Sequence, residues 1–143
     1  MKAAVLDAFG PAAVMTIRDV PKPAIGADQA LVEVFAAGVN PIDWKIREGW
    51  MSERYGSKFP MVLGFDAAGL VAEVGSEVQG FRPGDAVFGR SDLGPGGCYA
   101  EYAVLNASTV AAKPARLDYE QAAAMPLAGL TALNGLRDVG RVA

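Results

Sequence analysis

Apolar residues in this chain recur in short runs broken by glycine and proline, the pattern of brief β-strands rather than long helices. Ala3-Ala4-Val5-Leu6 and Met15-Thr16-Ile17-Arg18 read as two strands joined through Phe9-Gly10-Pro11, where Gly-Pro marks the turn. Residues 30–37 form a nearly continuous apolar run, which predicts a strand buried on both faces for part of its length. Gly38-Val39 closes it. Asn40-Pro41-Ile42-Asp43 then has the form of a helix start, with one or two turns through Trp44, Lys45, Ile46 and Arg47 to a stop at Gly49. Residues 50–59 read as irregular and polar. The glycines of Gly64-Phe65-Asp66-Ala67-Ala68-Gly69 punctuate the run Leu70-Val71-Ala72-Glu73-Val74-Gly75, predicted as the central strand.

Further strands are predicted at Ala86-Val87-Phe88, at residues 99–104 and at residues 109–112, with a glycine-rich loop over 91–97. The character changes after Leu117. Asp118 can cap a helix beginning Tyr119-Glu120-Gln121-Ala122, and a second helical piece is expected over 127–136. Many short strands followed by a helical tail make a mainly β fold, a small barrel with an appended helical end.

Composition narrows the chemistry. The chain has 143 residues, 52% hydrophobic and 20% charged, with a net charge of -3, which argues against a nucleic-acid partner that would require a basic face. No apolar run reaches the length of a membrane-spanning helix. The single cysteine, Cys98, excludes an internal disulfide and fits a reducing cytoplasm. There is no histidine, so neither a Ser-His or Cys-His nucleophile nor a histidine-ligated zinc can form, and one thiol cannot cage a metal alone. Carboxylates, amides, hydroxyls and lysine remain.

Four motifs stand in register: Gly38-Val39-Asn40-Pro41-Ile42-Asp43, Gly64-Phe65-Asp66-Ala67-Ala68-Gly69, Gly84-Asp85-Ala86-Val87 and Gly97-Cys98-Tyr99-Ala100-Glu101-Tyr102. In order and spacing they resemble the N-terminal, GroES-like catalytic domain of the medium-chain dehydrogenases/reductases. The resemblance places a GroES-like barrel at residues 1–117, with residues 118–143 leading toward a nucleotide-binding domain. Zinc members of that family carry a Cys where this chain has Asn40 and a His where it has Phe65. Their third ligand falls at Leu127. With all three replaced, and the structural zinc lobe missing, the resemblance narrows to zinc-free quinone and enone oxidoreductases, and no metal is expected. Asn-Pro-x-Asp is characteristic of that group, and Lys45 and the Gly-aromatic-Asp motif look most like its alkenal/enone reductase branch.

That resemblance implies hydride transfer from NADPH to a quinone or an α,β-unsaturated carbonyl, and a homodimer for the full-length relative. Asn40 would donate to the acceptor or to the nicotinamide ribose, Thr131 would contact the nicotinamide, and Lys45 would serve the cofactor or the substrate oxygen. Trp44, Trp50, Tyr55, Phe65 and Leu127 would line the substrate pocket. Each residue also has a plainer reading. Asn40 caps a helix, Asp43 bonds nearby backbone or Arg47, Lys45 is solvated, Phe65 packs, Thr131 bonds the preceding turn, and Cys98 is a small buried residue. A Gly-x-Gly-x-x-Gly fingerprint is absent, and the 12 residues after Thr131 are fewer than the roughly 30 of a βαβ unit. The chain is thus expected to be a fragment, inactive alone. The alternatives are a free-standing GroES-like association module and, third, a zinc-type alcohol dehydrogenase domain.

Overall fold

The computed structural model describes residues 1–92 and 97–141. Strands β1 (Lys2–Leu6) and β2 (Met15–Asp19) pair antiparallel, Lys2 opposite Asp19 and Leu6 opposite Met15, as the Gly-Pro turn requires. β3 (Gln29–Gly38) leads into helix α1 (Pro41–Arg47), after which come a four-residue helix, α2 (Ser52–Tyr55), and a two-residue strand, β4 (Met61–Val62). β5 (Asp66–Val74), β6 (Ala86–Arg90), β7 (Tyr102–Asn106) and β8 (Val110–Ala112) follow, then α3 (Tyr119–Ala123) and α4 (Pro126–Leu133), which continues as a π-helix over Asn134–Val139.

The strands form two sheets, ordered β2-β1-β4 and β7-β3-β5-β6-β8, so β5 is indeed central. The stretch 99–101 stitches the sheets together. Ala100 bridges Ala3, the Ala4 N–H donates to the Tyr99 carbonyl at 2.8 Å, and the Val34 N–H donates to the Glu101 carbonyl at 2.8 Å. Pairing among the described strands stays as these two sheets, without the continuous ladder of a closed barrel.

Several boundaries differ from the sequence reading. β5 begins at Asp66, four residues before the apolar run at Leu70, because Ala67, Ala68 and Gly69 are small enough for close packing on both faces. At Gly69 the need is absolute: a Cβ would lie 1.8 Å from the Glu33 carbonyl oxygen, beside the irregularity between Val34 and Ala36. The expected irregular stretch 50–59 contains α2. The strand expected from residue 99 begins at Tyr102, since the three preceding residues cross to β1 and β3. Of the loop expected over 91–97, residues 93–96 lie outside the described residues.

Three apolar clusters hold the fold. Val32, Val71, Val87 and Leu105 pack with Cys98 against the five-stranded sheet, and the consecutive burial of Ala30, Leu31 and Val32 bears out the two-faced reading of β3. Leu6, Ile46, Met61, Leu63 and Phe65 join the three-stranded sheet to α1. Ala122 and Ala123 seat α3 on Ala68 of β5. Asp118 accepts from the Gln121 N–H at 2.7 Å, capping α3 as predicted. The second cluster, against which Leu127 also packs, brings α1 and α4 together beside Phe65 at the head of β5.

Candidate active site

Asn40 precedes α1 with extended backbone, Pro41 occupies the first helical position, and Asp43 sits at the third. The Asn40 N–H donates to Asp43 Oδ2 at 2.7 Å, so the reciprocal capping contact comes from Asp43. The Asn40 side chain turns elsewhere: Nδ2 donates to Asp66 Oδ2 at 3.0 Å. Both Asp66 oxygens also accept from the Leu127 N–H, each at 3.1 Å, at the first turn of α4. Asp66, buried at the head of β5, therefore clasps the start of α1 to the start of α4.

A second contact set supports this clasp. The Tyr99 hydroxyl donates to Asp43 Oδ2 at 2.9 Å. Tyr99 can lie there because residue 64 is glycine: its φ is +96°, and a Cβ would stand 2.4 Å from the Tyr99 ring. The glycines at both ends of Gly64–Gly69 thus make room, one for a ring and one for a strand.

Burial pushes both carboxyls above the ordinary value of 3.8. For Asp43, the Asn40 N–H, the Tyr99 hydroxyl and the Gly64 amide oppose the rise, while Oδ1 is buried without a hydrogen bond. For Asp66, the Asn40 amide and the Leu127 N–H oppose it, the Asp43 charge adds to it, and Arg90 opposes it at longer range. Burial also raises the Tyr99 hydroxyl and the Cys98 thiol, so neither is a nucleophile near neutral pH.

The clasp forms one wall of a cleft between α1 and α4. A cavity of about 580 Å³ is lined by Asn40, Ile42, Lys45, Met51, Leu127 and Thr131, among others. An adjoining cavity of about 360 Å³ shares Ile42, Leu127 and Thr131 and adds Arg54, Tyr55, Phe65 and Arg90. Asn40, Lys45, Thr131 and Leu127 thus meet at the first cavity, and Tyr55 and Phe65 at the second. Phe65 contributes from the core, 2% exposed and edge-to-face with Tyr55 at 5.8 Å. A further cavity of about 370 Å³, bordered by Met1, Pro21, Pro60 and Tyr102, is almost wholly apolar and lies apart from this chemistry.

Trp44 and Trp50 are not brought to the cleft. Pro41, Ile42 and Lys45 face it while Asp43 and Ile46 face the core, so the roughly 100° step of the helix turns Trp44 outward. Trp44 instead meets Trp50 edge-to-face at 5.0 Å, with Trp50 66% exposed. Lys45 forms no ion pair among the described residues; its ammonium lies 5.8 Å from the Trp44 ring. Thr131 makes the local bond of a helical threonine, donating to the Leu127 carbonyl at 2.7 Å, and lines the cleft. The clasp role of Asp66 was not read from sequence, although an Asp heading an apolar strand was its signal. Arg54 and Arg90 carried none.

The three positions matched to metal ligands offer an amide, a phenyl ring and an isobutyl group, of which only the amide has a donor atom for a cation. Among the described residues no group of three His, Cys, Asp or Glu side chains is placed to hold a metal ion. The first cavity sets apolar walls from Ile42, Met51 and Leu127 against the Thr131 hydroxyl and one remaining Asn40 N–H, a lining that suits a flat ring with polar edge groups.

Residues 26–115 match the family model of the alcohol dehydrogenase GroES-like domain. The chain belongs to this family. It is 42% identical over 124 residues to a 2-methylene-furan-3-one reductase of Solanum lycopersicum, an alignment covering 82% of the chain and 32% of that protein. Its fold matches the quinone oxidoreductase of Coxiella burnetii with a TM-score of 0.91 at 39% identity, over 98% of this chain and 45% of that one. It also matches the Escherichia coli quinone oxidoreductase complexed with NADPH, with a TM-score of 0.87 at 32% identity, over 97% and 41% respectively. The GroES-like chain therefore spans a third to under half the length of these relatives.

Proposed function

We propose that this domain is the acceptor-side half of a zinc-independent, NADPH-dependent reductase of quinones or α,β-unsaturated carbonyls. The observation that carries the reading is the gathering of Asn40, Phe65 and Leu127, the three positions of the zinc relatives' ligands, on one cleft with no second donor atom among them. Alcohol oxidation needs a Lewis acid or a placed general base to take the hydroxyl to an alkoxide; hydride addition to an electron-poor carbon needs neither. The bound cofactor supplies the hydride. The domain's task is to hold the acceptor flat against Ile42, Leu127 and Phe65 and to stabilise the oxygen on which negative charge develops. Asn40 Nδ2 has two hydrogens, and Asp66 takes one, which fixes the direction of the other. Lys45 offers at the same cavity an ammonium that forms no ion pair among the described residues.

In this reading residues 1–117 form the acceptor-side unit of a cytoplasmic enzyme, and residues 118–143 lead to the nucleotide-binding part. Met125, Leu130, Leu133, Leu136 and Val139 are exposed along that helical stretch, as an interdomain face would be. The same face favours the second reading, a self-associating module without catalysis. Sedimentation separates the two, since a discrete ring contradicts the enzyme reading. The direct test fuses the chain to the nucleotide-binding part of the Escherichia coli quinone oxidoreductase and screens quinones and enones for NADPH consumption. The chain alone should show no useful NADPH affinity, and the fusion should reduce one of the two classes. A fusion that binds NADPH and reduces neither, or that carries stoichiometric zinc, overturns the proposal.

A further inference from the structure

We propose that the smaller cavity is an anion-recognising subsite, in which Arg90, with Arg54 beside it, binds a carboxylate carried by the acceptor. The inference rests on the reductase reading and deepens it: the favoured substrates become flat enones or quinones bearing an acidic substituent.

Arg90 is the last residue of β6 and pairs with Asp66 in the ladder, two residues beyond the Phe88–Ala68 pair. Alternation along the strand buries Val87 and Gly89 and puts Phe88 and Arg90 on the face shared with Ala68, where α3 packs. Arg90 is half-buried at the cavity, and its guanidinium makes no hydrogen bond or ion pair among the described residues. Asp66 shares a long-range attraction with it, but the Asp66 oxygens are already taken by Asn40 Nδ2 and the Leu127 N–H. The five N–H donors of Arg90, unpaired among the described residues and set in a rigid fork, are matched by a carboxylate bound through both oxygens. Arg54 borders the same cavity, its guanidinium 5.6 Å from the Tyr55 ring, and adds a second positive charge.

The walls set the rest of the ligand. Tyr55 and Phe65 are flat, and the space of about 360 Å³ opens into the larger cavity past Ile42, Leu127 and Thr131. A conjugated acceptor lying across that junction would present its reducible bond beside Asn40 and Thr131 and its carboxylate to Arg90. The same guanidinium chemistry would accept a phosphate of the cofactor, so the two anion sources need separate probes.

The test titrates the 143-residue protein calorimetrically with benzoylacrylate, an aryl enone carboxylate, with its neutral methyl ester, and with inorganic pyrophosphate, using the Arg90 Nε–H resonance to report position. The acid should bind at least about tenfold more tightly than the ester, with a ratio that shrinks as salt rises. In Arg90→Met the preference should fall to about twofold or less, and in Arg54→Gln it should fall partway. Equal affinity for acid and ester, a preference that survives Arg90→Met, or no binding of either probe overturns the subsite. Pyrophosphate displacing the acid with the same Arg90 dependence reassigns the anion to the cofactor and overturns it as well. If Arg90→Met does not fold, Arg90→Lys and the salt dependence of the unaltered protein decide, and a salt-independent ratio refutes the inference. Failures of the two proposals are distinguishable. A fusion enzyme that reduces neutral quinones without preferring acids refutes only the subsite, and an Arg90-dependent acid preference without any reduction refutes only the reductase.

Discussion

Replacing Asp66 separates the two things this carboxylate does, and the structure gives each a size. Asp66→Ala removes the acceptor of Asn40 Nδ2 and of the Leu127 N–H. Each donor left unpaired in a buried site costs about 1–3 kcal/mol. Against that stands the relief of no longer burying a carboxylate whose protonation burial already favours. The net loss at neutral pH should be about 2 kcal/mol, or a fall in Tm of about 4–8 °C for a chain near this length. Asp66→Asn keeps one acceptor oxygen and carries no charge, so it should melt near the unaltered protein.

The pH dependence of that comparison has a definite sign. The folded carboxyl titrates above 3.8, so between the unfolded and folded values the folded chain holds more protons. Its contribution to stability is fully present below 3.8 and is lost as pH rises through the folded value, after which it is constant. Asp43 contributes with the same sign. Melting followed by circular dichroism from acid to neutral pH should therefore show Asp66→Asn gaining on the unaltered protein as pH rises, then running parallel to it. If Asp66→Ala melts within a degree of the unaltered protein at pH 7, or the Asn variant gains toward acid instead, the clasp does not hold α1 to α4 as described.

Three further outcomes follow from the same geometry. Gly69→Ala should abolish soluble folded protein, since its Cβ would meet backbone rather than a movable side chain, and expression with far-UV circular dichroism reads this directly. Trp50→Ala should change stability by less than about 1 kcal/mol and leave reduction by the fusion enzyme unaltered, because Trp50 is exposed and lines neither cavity; a tenfold loss of kcat/KM would restore it to the pocket. Thr131→Val should leave the melting temperature nearly unchanged, since its hydroxyl satisfies only a helical carbonyl, while raising KM for NADPH in the fusion enzyme.

What could be read in advance divides along a physical line. β5 as central strand, the Asn40-Pro41 helix start and the Asp118 cap were legible because each is written in adjacent residues: an apolar run, a proline at the first helical position, an acceptor three residues before a donor. The elements missed are those that other segments create. β4 has two residues and exists because Val5 and Leu6 pair with Val62 and Met61. α2 has four residues and no side-chain cap. The late start of β7 follows from contacts of residues 99–101 with β1 and β3, which no local pattern carries.

The cleft shows the same division at the level of single side chains. Residue types at Asn40, Phe65 and Leu127 say which side-chain chemistry borders the cleft, and that much needs only the sequence. What holds the cleft in shape is tertiary: Asn40 and Leu127 lie far apart in the chain, and the group that joins them, Asp66, is neither a ligand position nor an exposed polar residue. Here a carboxylate accepting from the amide of one and the backbone of another supplies the link. A buried charge is a costly clasp unless each oxygen is satisfied, and Asp66 meets that condition with three contacts from two donors. The Gly64–Gly69 segment is therefore more than the head of a strand: its Asp66 ties α1 to α4, and its two end glycines make room for the Tyr99 ring and for β3.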